Sequence, residues 1–137
     1  MNYYFMDPMC LGWVMGVIDG EGSILLTKSG GTRNPRIMLP STDIEVLEEL
    51  KRLVGGYICK RADKREYTFQ AWTWVLSSSA TLNLLKSGVY LLRVPLKRAR
   101  ANYLLEHWKP GMTREIRSNI CDGFFKLPDL RHKRSEL

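Results

Sequence analysis

Residues 12–24, Gly-Trp-Val-Met-Gly-Val-Ile-Asp-Gly-Glu-Gly-Ser-Ile, constrain this chain more than any other stretch. They begin as an apolar helix, end in two acids threaded between glycines, and pass directly into a strand. Asp7-Pro8 starts the helix, with a side-chain acceptor for the first free N–H groups and then a residue that needs none. Gly12, Gly16 and Gly20 recur every four residues and so share one helical face. Each costs about 1 kcal/mol against Ala inside a helix. A seam of bare hydrogens therefore makes physical sense where a second backbone must approach closely. Beyond the seam, Gly20 and Gly22 flank Glu21 and leave its carboxylate uncrowded at the foot of the helix.

A plain core helix closed by a glycine turn is the simplest reading of these residues. A calcium loop, which Asp-Gly-Glu-Gly-Ser-Ile echoes, fails on position. With Gly22 as its sixth residue, Val17 and Lys28 stand first and twelfth, where carboxylates are required.

At 137 residues, 45% hydrophobic and 26% charged, the chain reads as one globular domain. Its longest apolar run, Cys10 to Ile18, is far short of the ~20 residues that cross a bilayer. The opening residues lack a signal-peptide layout, so an intracellular setting with no membrane partner is expected. Cys10, Cys59 and Cys121 are widely spaced and cannot complete a zinc site with His107 and His132, so the thiols are assigned no chemistry. The net charge of +7 is uneven. Residues 1–56 carry five Lys/Arg against seven Asp/Glu, and residues 57–137 carry sixteen against seven. Clustered positive charge suits a polyanion, most simply nucleic acid.

The nine residues Val14-Met15-Gly16-Val17-Ile18-Asp19-Gly20-Glu21-Gly22 resemble the motif of the LAGLIDADG homing endonucleases, and Ser23-Ile24 continues in that family's manner. The resemblance implies that two motif helices pack face to face, here through Gly12, Gly16 and Gly20 with Trp13 beside them. It implies that Glu21 holds a divalent metal, Mg²⁺ or Mn²⁺, with help from the Gly20 carbonyl. Asp19 is expected to cap the motif helix and brace the turn. Lys97, within a Leu-Lys then Ala-Asn arrangement, matches the family segment whose lysine reaches the active site. Ser41 stands where many members carry a longer polar residue that orders solvent.

Along the chain, 23–29 and 34–39 read as a hairpin around Gly30-Gly31, with Pro35 at an edge or near the turn. The family alignment turns Leu25, Thr27, Ser29, Asn34, Arg36 and Met38 toward DNA, and Ile24, Leu26 and Lys28 away. Arg33 and Arg36 are the stronger contacts, since a guanidinium bridges guanine's two acceptors. Thr42 and Glu45 are spaced as a capping box ahead of a helix that Gly55-Gly56 stops. Strands are predicted over 57–62 and 66–76, and Tyr57, Cys59, Arg61, Lys64 and Arg65 are assigned to DNA. On the last strand Thr68 and Gln70 are placed toward DNA and Tyr67, Phe69, Ala71, Thr73 and Val75 in the core, with Trp72 and Trp74 as packing residues. Helices are predicted from Ser77 to Gly88, from Pro95, where Arg98 is a further DNA contact, and from Thr113 to Phe125. Ile120-Cys121-Asp122-Gly123 lacks the second acid and is no second motif.

This order is that of an α+β domain with the family's αββαββα core, a saddle-shaped four-stranded antiparallel sheet and added C-terminal helices. The domain is expected over 1–128 and a basic tail over 129–137. One motif per chain implies a homodimer and a pseudo-palindromic duplex target. The implied activity is site-specific, Mg²⁺-dependent cleavage of both DNA strands. An intron RNA maturase, with host intron RNA as partner, or a DNA binder that does not cleave is the alternative.

Overall fold

A computed structural model describes residues 3, 4, 6–29, 31–62 and 69–129. The expectations for Lys64, Arg65, Thr68, the side chain of Ser29 and the tail beyond 129 fall outside those residues. The described elements, in chain order, are α1 (Pro8–Glu21), β1 (Ser23–Ser29), β2 (Thr32–Ser41), α2 (Ile44–Val54), β3 (Tyr57–Lys60), β4 (Trp72–Leu76), α3 (Ser78–Gly88), a 3-10 turn (Val89–Leu91), α4 (Pro95–His107) and α5 (Arg114–Phe125). The α+β class and the element order are those expected. Among the described residues, no helix is long and apolar enough to cross a membrane.

Asp7 accepts from the Met9 N–H at 2.9 Å and Pro8 takes the first helical position, so α1 starts as its sequence dictates. Thr113 does the same for α5, accepting from the Ile116 N–H. The capping box at α2 does not form. Asp43 is the N-cap, and its own N–H donates to Ser41 Oγ at 2.9 Å, which moves the helix start one residue on. Gly55 and Gly56 then end α2 with φ of 85° and 90°. A Cβ on Gly56 would lie 2.5 Å from the Val75 carbonyl oxygen, so only glycine lets β3 begin there.

The strands form one antiparallel sheet in the order β1-β2-β4-β3. Directly opposed residues share a face, and the register separates two sets. Ile24, Leu26, Pro35, Ile37, Leu39, Trp74 and Leu76 are buried. With the exception of Pro35 they join Val14, Met15, Ile18, Leu47, Leu50, Leu84, Leu85, Leu104 and Phe124 in one core between sheet and helices. Pro35 pairs with Leu26 on β1, in the part of β2 that β4 does not reach, so no ladder bond to β4 is missing.

The fourth strand corrects the sequence reading. Trp72, Trp74 and Leu76 turn to the helices, and Thr73 and Val75 turn away. An indole buries far more apolar area than Thr or Val, so the tryptophans decide the register. Trp74 is fully buried and its Nε1 donates to the Gly55 carbonyl at 2.9 Å. Phe69, expected in the core, is 85% exposed. Among the described residues β3 ends at Lys60 and β4 begins at Trp72. Gln70 Nε2 donates to the Arg61 and Ala71 carbonyls at 2.9 and 2.8 Å, so Gln70 braces the backbone instead of turning toward DNA.

Candidate active site and nucleic-acid interface

The foot of α1 is tied to the start of α4. Gly22 N–H returns to the Ile18 carbonyl at 2.9 Å, and a Cβ on Gly22 would lie only 3.0 Å from that oxygen. Glycine therefore permits the sharp passage into β1. Lys97, on the first turn of α4, donates Nζ to the Ile18 carbonyl at 3.1 Å and also to that of Asp19. A cation over the last carbonyls of a helix is favourably placed against its dipole. The Asp19 carboxylate reaches the other way, accepting from the Val94 N–H at 2.9 Å and the Arg93 N–H at 3.1 Å. Asp19 thus caps the entry to α4 and not its own helix. Arg98, which is exposed, closes the same segment by donating to the Leu92 carbonyl.

Glu21 is the last residue of α1 and is exposed. It lines an open groove of about 630 Å³ with Gly16, Gly20, Pro40, Ser41 and Asp43. Ser41 therefore shares the groove with Glu21 while its hydroxyl accepts from Asp43 N–H. The Gly20 and Glu21 carbonyls belong to the last turn of α1, where no N–H follows within the helix. Among the described residues no three His, Cys, Asp or Glu side chains converge on a metal position. One carboxylate and one carbonyl per chain is a hard-oxygen set that suits Mg²⁺, which keeps several waters and completes its shell with phosphate oxygens.

Gly12, Gly16 and Gly20 run up the exposed side of α1, and a Cβ built on any of them meets nothing within 4 Å. Large apolar side chains flank the seam, with Met9 83% and Trp13 39% exposed. Among the described residues the face is bare.

The sheet's second face, turned from the helices, carries Leu25, Thr27, Asn34, Arg36 and Met38 from the first hairpin and Tyr57 and Cys59 from β3. Thr73 and Val75 complete it, and sequence reasoning missed both by placing the tryptophans on the wrong side. Arg61 follows β3 and is exposed. Thr27 Oγ1 and Arg36 Nε are out of reach of solvent without a hydrogen-bond partner. Arg33 is corrected to the opposite face. It pairs with Lys28, donates to the Leu26 carbonyl at 3.0 Å and lies over the Phe125 ring. Cys121 is buried, and burial pushes its thiol above the usual range.

No protein-family model matches the chain. An intron-encoded DNA endonuclease of Dictyostelium discoideum, ai2b, is 42% identical over 48 residues, 35% of this chain but 18% of that protein. Among solved structures, the archaeal intron-encoded homing endonuclease I-Vdi141I in complex with DNA is similar at a TM-score of 0.60 and 20% identity, over 92% of this chain and 88% of that one. The homing endonuclease I-CvuI, bound to its target in the presence of calcium, is similar at a TM-score of 0.66 and 17% identity, over 92% and 85%. The chain has the LAGLIDADG homing-endonuclease fold. Lys97, which the sequence resemblance singled out, reaches the last turn of α1 in this structure.

Proposed function

We propose that this chain is a site-specific DNA endonuclease that acts as a homodimer with a divalent metal, Mg²⁺ or Mn²⁺. The observation that carries this reading is the convergence at the foot of α1. There an exposed Glu21, the Gly20 carbonyl and the Lys97 ammonium lie at the end of a glycine seam with open space beside it. Two seams packed together bring two Glu21 carboxylates to one axis, one for each strand of a duplex. When bound, the metal supplies charge neutralisation at the phosphate and activation of water. Glu21 and the Gly20 carbonyl would hold it. Lys97 has two tasks in this reading. It fixes the last turn of α1, and it places positive charge where negative charge grows on the reacting phosphate.

The sheet's outer face binds the duplex. A two-stranded ribbon fits the major groove, and Arg36, Asn34 and Thr27 share the outer face of the first hairpin. Arg61 and the basic second half of the chain supply phosphate contacts.

Binding to a long duplex is then expected to weaken steeply with salt, log K falling by about 0.9 per log unit of salt for each phosphate neutralised. Fluorescence anisotropy across a KCl series measures the slope. A flat dependence removes the nucleic-acid reading.

A further inference from the structure

Gly31, the first residues of β2 and one side of α5 line a second groove, of about 310 Å³. It lies at the far end of β1 from Glu21, about 20 Å of strand away. Its walls carry three guanidiniums, of Arg33, Arg114 and Arg117, and the hydroxyls of Thr32 and Ser118, against one acid, Asp122. Aromatic faces hold two of the arginines, with Arg33 4.9 Å from the Phe125 ring centre and Arg117 5.4 Å from that of Trp108. Among the described residues none of the three is within ion-pair distance of a carboxylate, Asp122 included. Arg114 is exposed, and Arg33 and Arg117 are half-buried. Gathered guanidiniums repel one another, and an anion with several acceptor oxygens both relieves the repulsion and takes up their free N–H groups.

We propose that this groove seats a backbone phosphate of duplex DNA beyond the outer end of the sheet's footprint. The inference rests on the DNA reading above. A ribbon inserted in a major groove about 8.5 Å deep has phosphate ridges rising beside it. A site at the hairpin tip, on the side of the sheet away from the bases, meets such a ridge. β1 is an edge strand, so no neighbouring strand blocks the approach. The contact adds affinity and fixes the position of the hairpin end, without reading sequence.

The test uses the full chain, a fluorescein-labelled 40-base-pair duplex of random sequence, and a 40-nucleotide single-stranded RNA as second probe. Arg114→Ala/Arg117→Ala is expected to bind the duplex about tenfold more weakly at 0.1 M KCl, with a salt slope shallower by about 0.9 for the lost phosphate. Arg114→Glu, at an exposed helix start, is expected to weaken duplex binding as much and guards against a disturbed Trp108 in the double variant. Wild-type slope and affinity in both variants, with steep salt dependence retained, overturns the groove and leaves the DNA reading intact. Loss confined to the RNA probe also overturns it. A flat slope in the wild type removes both.

Discussion

Glu21→Gln is expected to reduce cleavage by at least about 10³-fold while leaving duplex affinity within threefold of wild type. Losing one transition-state donor from a preorganised site already costs 10²–10³-fold, and Glu21 is the side chain the proposed function gives to the metal. Glutamine keeps the shape but loses the charge that holds a hard cation. Binding survives because the sheet's outer face is untouched and because removing a negative charge near phosphates does not oppose association. Glu21 is exposed at a helix end, so folding is unaffected. Single-turnover cleavage and anisotropy on the same protein measure both arms. A Gln variant that cuts at the wild-type rate contradicts the assignment of Glu21.

Asp19→Ala is expected to lower the cleavage rate about 10–100-fold and to lower Tm by several degrees. Its carboxylate accepts from two backbone N–H groups on the approach to α4. Charge-assisted bonds of this kind are worth about 1.5–3 kcal/mol each. Without them the entry to α4 loosens, and with it the position from which Lys97 reaches the Ile18 and Asp19 carbonyls. Displacements near 1 Å at a reacting centre cost about 10²-fold. Asp19→Asn keeps an acceptor oxygen for Val94 N–H and is expected to recover part of the rate, with an unchanged Mg²⁺ midpoint. A midpoint shifted tenfold would make Asp19 a metal ligand and contradict its placement as a brace.

Much of this molecule was legible in its residues because local chemistry and tertiary need agree. Asp7-Pro8 can only begin a helix well. With Leu25 apolar on the outer side, the alternation along β1 is impure, and the family alignment is needed to part Ile24 and Leu26 from Leu25 and Thr27. The motif marked the foot of α1 because Gly12, Gly16 and Gly20 have no local reason to be there. The errors arose where local signals compete. On β4, Thr73-Trp74-Val75-Leu76 offers apolar residues at both parities, and only the space between Gly55 and α2 decides for the indole. Arg33 looked free because guanidiniums usually are, yet a ring presented by α5, more than ninety residues later, holds it on the other face. Asp19's partners, Arg93 and Val94, leave no mark in the sequence at all, since they are backbone N–H groups.

The account depends on two chains meeting along the Gly12–Gly16–Gly20 seam, and Gly16→Leu tests it most directly. Within one chain nothing lies within 4 Å of a Cβ at Gly16, so leucine there leaves the fold intact and raises helix propensity by close to 1 kcal/mol. Between chains the same side chain holds the backbones apart. Sedimentation velocity with duplex and Mg²⁺ present is expected to give complexes of two chains per duplex for the wild type and no such complex, and no cleavage, for a folded Gly16→Leu chain. A wild type that stays monomeric under those conditions, or a leucine variant that still dimerises and cuts, contradicts it.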